Sequence, residues 1–223
     1  MAQLEIACFN LESALIAQEN GADRVELCAE MHLGGTTPSL EIIKQARKQL
    51  SIDLYVMIRP RGGNFVYTMN ELMMMYKEIL ELKDIGVDGF VFGVLTNGNK
   101  IDISINKSLI ELAKPFPCTF HRAFDEVSNP FEALEELIEC GFQTILTSGN
   151  ASNVNEGISQ LELLVQKANS RITIMPGGSL RASNLKMIQQ KTKATFFHSS
   201  AIIDDSELAN PNEIQQLKAI LHA

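Results

Sequence analysis

Arg59, Pro60, Arg61, Gly62 and Gly63 form one run that is suited to holding an anion. A guanidinium presents paired, planar donors that match a carboxylate or a phosphate. The proline stiffens the chain between the two arginines, and the glycines let backbone approach a ligand. A second run spans 121–125, with His121 at one end and Asp125 at the other. Histidine titrates nearest neutrality, so His121 suits general acid–base work, and Asp125 could orient it or line the same pocket. Gly177 and Gly178 follow Met175 and Pro176, and Ser199 and Ser200 follow His198. Backbone amides and hydroxyls of that kind can cradle a phosphate. Cys8 and Cys28 are soft donors of the type Cu(I) prefers. No Cys-x-x-Cys and no zinc-ligand spacing accompanies them. Met73, Met74 and Met75 lie in a helical segment and read as packing residues.

These runs need elements to position them, and the spacing supplies eight. Short β-branched or aromatic stretches recur near 4–8, 24–28, 54–59, 89–94, 118–123, 144–148, 172–176 and 195–199. Segments of helical periodicity, such as 11–19, 40–50 and 71–83, lie between them. The punctuation agrees. Asn129 with Pro130 and Glu132, Asn210 with Pro211 and Glu213, and Thr68 with Glu71 mark helix starts. Gly21, Gly86 and Gly141 mark helix ends, and Thr37 before Pro38 is expected to cap the second long helix. No linker or composition break divides the chain, so residues 1–223 are expected to form one domain, a single (β/α)8 TIM barrel. No Gly-x-Gly-x-x-Gly opens the first helix, which weakens a dinucleotide-binding sheet.

Alternation along the strands then assigns faces. Leu4, Ile6, Cys8, Val25, Leu27, Val56, Ile58, Cys118, Phe120, Ile172 and Ile174 should face the helices. Glu5, Ala7, Phe9, Glu26, Cys28, Tyr55, Met57, Arg59, Thr119, His121, Thr173 and Met175 should face the barrel interior. Phe196 and Phe197 are both apolar, so the direction of His198 stays open. Carboxylates, an arginine and a histidine in one interior make either an internal ion-pair network, Glu5 and Glu26 with Arg59, or a polar pocket at the C-terminal mouth. Glu5, early in its strand, belongs to the first; Glu26, His121 and Asp125 are the acid–base candidates of the second. Arg122 is expected to point outward. Cys8 outward and Cys28 inward speak against a metal site shared by the two.

The net charge of −8 argues against nucleic-acid or anionic-membrane partners. No stretch of apolar residues is long enough to span a membrane, and Met1 to Cys8 shows no secretory signal. Four cysteines in a chain of this size, without an export signal, read as reduced thiols in a cytoplasm.

The strings 21–28, 57–63, 119–125, 146–149, 175–178 and 198–201 together resemble the CutC family, the family named for copper tolerance. The resemblance runs from the first strand to the eighth. It implies a single TIM barrel in the cytoplasm, often a homodimer or higher oligomer, with a role in copper homeostasis and Cu(I) binding. It also implies that Cys8 and Cys28 match the family's copper-binding cysteines, and that Glu26, Arg59, Arg61 and His121 match its pocket residues. Two expectations follow. One is a copper-handling protein. The other is an enzyme acting on a small anionic or phosphorylated substrate, with Arg59, Arg61, Gly177, Gly178, Ser199 and Ser200 holding the anion.

Overall fold

The computed structural model describes residues 2–222. Strands and helices alternate strictly. β1 (Gln3–Cys8) leads to α1 (Leu11–Glu19), β2 (Arg24–Leu27) to α2 (Leu40–Gln49), and β3 (Asp53–Met57) to α3 (Met69–Ile85). β4 (Gly89–Phe92) and α4 (Ile103–Ala113) follow, then β5 (Cys118–Phe120) and α5 (Pro130–Cys140). The chain ends with β6 (Thr144–Thr147), α6 (Ile158–Ala168), β7 (Thr173–Pro176), α7 (Ala182–Thr192), β8 (Phe196–Ser199) and α8 (Pro211–Leu221).

All ladders are parallel and run in the order β7-β6-β5-β4-β3-β2-β1-β8. β7 and β8 lie side by side and complete the circle without a ladder between them among the described residues. This is a nearly closed (β/α)8 barrel. A parallel barrel covered by helices has two apolar interfaces, and the alternation of the strands divides them.

The outer interface holds Leu4, Ile6, Cys8, Val25, Leu27, Val56, Ile58, Phe120 and Phe197 in one cluster with the buried helix residues. The interior holds two small apolar patches, Cys28, Tyr55, Met57 and Val91 on one side and Leu146, Met175 and Phe196 on the other. Phe196 therefore faces in and Phe197 out, which turns His198 inward and closes the question left open on β8.

Local signals place the helices. Thr68 and Glu71 form a reciprocal capping box at α3, and Asn129 and Asn210 cap α5 and α8 ahead of their prolines. Gly86 and Gly141 take the left-handed conformation that ends α3 and α5. One boundary differs from expectation: Ser39, not Thr37, caps α2, accepting from the Ile42 N–H. Thr37 is held elsewhere, because its hydroxyl accepts from the Arg59 N–H (2.8 Å) and donates to Glu78 (3.0 Å).

Candidate functional site

Strand register sets the lowest polar layer. Glu5 on β1 lies opposite Arg24 on β2 and opposite His198 on β8. The three side chains meet at the same level: Arg24 Nε donates to Glu5 Oε2 (2.5 Å), and His198 Nδ1 lies 2.7 Å from Glu5 Oε1. The Arg24 guanidinium is clamped between the Tyr55 and Phe196 rings, at 3.9 and 4.2 Å. Glu5 is fully buried. Burial alone would raise its carboxyl, but Arg24 and then His198 hold it below the usual range. Glu5 is therefore ionised and fixes the His198 ring through Nδ1. The ion pair anticipated with Arg59 is made by Arg24 instead. Arg24 shares the parity of Glu26, so its inward direction was already present in the alternation.

One layer up, Glu26 sits on β2 at the level of Ala7 and Tyr55. Its Oε2 faces His198 Nε2 at 3.8 Å, and its Oε1 is buried without a partner. Burial raises the Glu26 carboxyl to about 7; the His198 charge opposes the rise and the Glu5 charge adds to it. For His198, burial acts downward, but the hydrogen bond to Glu5 and the charges of Glu26 and Glu5 lift it above its ordinary value. Arg24, Glu5, His198 and Glu26 thus form a chain from the barrel floor upward.

Above this chain lies a cavity of about 380 Å³, lined among others by Glu26, Cys28, Arg59, His121 and His198. His121 follows directly after β5, and its Nδ1 accepts from the Ala123 N–H (3.3 Å). The ring proton therefore sits on Nε2, which is buried and without a partner. Burial, reinforced by the Arg59 charge, pushes His121 down to about 3, so the ring is neutral. The ring packs against Phe65 at 4.7 Å, and Gly93 leaves it room: a Cβ there would lie 2.8 Å from Nδ1.

Arg59 is also buried and also packs on Phe65, at 4.8 Å. Its two terminal nitrogens donate to the Leu33, Gly35 and Gly63 carbonyls, and its Nε has no partner. The expected guanidinium fork is occupied by backbone, so one charge-assisted N–H remains. No carboxylate lies within ion-pair distance of Arg59 among the described residues, so its charge is uncompensated.

Other anticipated residues are placed differently. Arg61 turns away to the start of α3, where its Nε binds Glu71 (2.5 Å) and its ion pair is part of the capping of that helix. It does not line the cavity. Asp125 does line it, but its carboxylate accepts from Thr147, Ser148, Asn150 and Arg122, and so anchors the loop after β6. It does not orient His121.

Arg122, expected to point outward, bonds Asp125 (2.7 Å) and Ser148 (2.8 Å) at the cavity mouth. Gly177 donates to the Thr147 carbonyl, and Gly178 accepts from the Val154 N–H. The Ser199 hydroxyl donates to the Leu180 carbonyl, and the Ser200 hydroxyl accepts from the Ile202 N–H. These four build the turns after β7 and β8, and none lines the cavity. A larger open groove of about 810 Å³ between α7 and α8 contains none of the site residues.

The cysteines are split by the sheet. The Cys28 N–H donates to the Cys8 carbonyl (2.8 Å), yet Cys8 packs with the strand–helix core and Cys28 with the interior. Burial first, and the Glu26 charge second, raise both thiols well above their ordinary value. Two protonated thiols on opposite faces of a barrel wall do not fit a shared Cu(I) site, which needs soft donors together. Glu5, Glu26 and His198 do converge within 4.8 Å, but they are hard or borderline donors bound to one another and to Arg24.

The profile of the CutC family matches residues 2–203. The chain belongs to the CutC family. Its relatives include a human copper homeostasis protein cutC homolog, 43% identical over 89% of this chain and 72% of the human protein. A CutC family protein of Parabacteroides distasonis is 47% identical over 89% of this chain and 82% of its own length. A CutC crystal structure from Streptococcus agalactiae superposes with a TM-score of 0.86 at 37% identity, over 90% of this chain and 99% of that one. Phosphoribosylanthranilate isomerase from Thermotoga maritima shares the fold, with a TM-score of 0.66 at 15% identity, over 100% of this chain and 99% of that one. No helix among the described residues of this CutC-family chain is long and apolar enough to cross a membrane.

Proposed function

We propose that this CutC-family chain is an enzyme that performs acid–base chemistry on a small anionic substrate in the barrel cavity. One observation carries the reading. Glu26 Oε1, Arg59 Nε and His121 Nε2 are buried without partners, and all three side chains line the same cavity. Orphaned buried polar atoms are costly, and three in one cavity point to a ligand that satisfies them. Arg59 brings an uncompensated positive charge, which favours an anion. Glu26 titrates near neutrality, which suits a proton carrier at working pH. The volume lies at the lower end of ligand-sized cavities, so the substrate is small.

The names of the relatives tie this family to copper homeostasis, and we extend that role to this chain. Cu(I) held jointly by Cys8 and Cys28 has the separation of the two thiols against it.

Thermal melting in the presence of small carboxylates, phosphates and, separately, Cu(I) under reducing conditions tests the reading. A ligand of the folded state raises the melting temperature. Members of the anion panel should stabilise the parent, and Arg59→Ala should abolish that response while Arg61→Ala retains it. A response to Cu(I) alone, lost in the Cys8→Ser/Cys28→Ser double variant, would replace the enzyme reading by a copper site.

A further inference from the structure

Three properties of the cavity narrow the reaction. First, it holds one carboxyl poised to change protonation near neutrality, Glu26, and one imidazole that cannot serve as a base, because His121 is neutral with its proton on the free Nε2. A neutral imidazole opposite a carboxylate base is a device for polarising a carbonyl oxygen while the base removes a neighbouring proton. Secondly, no serine lines the cavity among the described residues, and its one thiol is protonated. Burial raises the Cys28 thiol well above its ordinary value, which removes it as a thiolate nucleophile. Thirdly, Glu26 has a fixed partner on its far side: His198 Nε2 stands 3.8 Å from Oε2, locked by Glu5, which is locked by Arg24.

We propose that the cavity shifts a proton between adjacent carbons of a small α-hydroxycarbonyl compound carrying an anionic group, with Glu26 as base and His121 Nε2–H as donor to the oxyanion. This rests on the acid–base reading above. The Glu26 carboxylate takes the proton from the carbon bearing the hydroxyl. The C–H electron pair becomes the carbon–carbon double bond of an enediolate, and the carbonyl π pair moves onto oxygen. That oxygen lies against His121 Nε2–H, with the Arg59 charge beside it. The hydroxyl proton passes to the neighbouring oxygen, and Glu26 returns its proton to the former carbonyl carbon. A carbonyl forms at the adjacent position, so reactant and product are isomers and no oxidant or second substrate enters. His198 is a positioning residue: its charge lowers Glu26 and faces Oε2, while Oε1 has no partner and is left for the substrate.

The test is proton NMR in D2O with dihydroxyacetone phosphate and hydroxypyruvate as probes, using parent and variants purified side by side. The parent should wash deuterium into the carbon bearing the hydroxyl at least tenfold faster than Glu26→Gln. The parent rate should rise as pH passes through about 7. His198→Gln should move that midpoint upward, because a charge that lowers Glu26 is gone; a merely structural role would lower the rate without moving the midpoint. His121→Gln, which keeps an N–H donor, should retain more exchange than His121→Leu. Melting curves establish that each variant is folded. A probe that stabilises the parent through Arg59 yet shows no Glu26-dependent exchange overturns this inference and leaves the anion site standing. Failure of every anion to stabilise the parent removes the acid–base reading, and this inference with it.

Discussion

Glu26→Gln should make the protein more stable at alkaline pH than at acid pH, relative to the parent. Folding raises the Glu26 carboxyl from 4.5 to about 7, chiefly by burial, against the pull of His198 and with the push of Glu5. A carboxyl raised in this way is stabilised in its protonated form. The folded state therefore loses stability as pH climbs from 4.5 through about 7, where it must hold the charge. A displacement of that size corresponds to about 3 kcal/mol.

Glutamine cannot ionise, so the variant escapes that loss. His198 does not cancel the effect. Its folded value is raised, so its contribution is present below its ordinary 6.5 and is also lost with rising pH. About 2.5 kcal/mol of that loss falls between pH 5 and pH 8, so in a chain of this length the difference between variant and parent should grow by roughly 5–10 °C in melting temperature over that range. Melts of both proteins at pH 5, 6, 7 and 8 measure it. A difference that stays constant with pH, or that shrinks as pH rises, would refute the reasoning.

Arg24→Leu should cost about 3–5 kcal/mol in urea unfolding at pH 7, because it strands the fully buried Glu5 charge; a loss under 1 kcal/mol would show that His198 alone sustains Glu5. Gly93→Ala should cost about 1–3 kcal/mol and tilt His121, since its methyl would lie 2.8 Å from Nδ1. An unchanged melting temperature together with unchanged His121 ring resonances would contradict the close approach.

The barrel was legible because its signals are local and repeated. Helix periods, caps such as Thr68 and Asn129, and strand alternation each recur along the chain, and each constrains one element without knowledge of the others. Alternation alone placed Glu26, Arg59 and His121 in the interior and separated Cys8 from Cys28. What it could not give was partner choice. Arg59 and Arg61 share a run, yet one turns to the carbonyls of 33–35 and the other to Glu71. Asp125 is taken by a loop more than twenty residues away. Those contacts depend on where loops return over the barrel mouth, and no periodicity encodes that. Arg24 is a different case: its parity equals that of Glu26, but a single arginine opening a strand carries no mark of burial until the register across β1 and β8 is known.

Among the described residues seven strand junctions carry backbone ladders, and at the eighth β7 and β8 lie side by side without one. A cavity of about 350 Å³ opens at its foot, beside Thr173 and Thr195. Amides on the facing edges of these two strands have no ladder among the described residues to delay exchange with solvent. Breathing of the wall should begin at this seam, where no ladder among the described residues needs to break. His198 is rooted in that same strand, and Gly177 of the neighbouring turn lies against it. The most tightly tethered histidine of the interior thus stands beside the least stitched part of the wall, and amide exchange along β8 becomes an external gauge of how firmly Glu5 holds it.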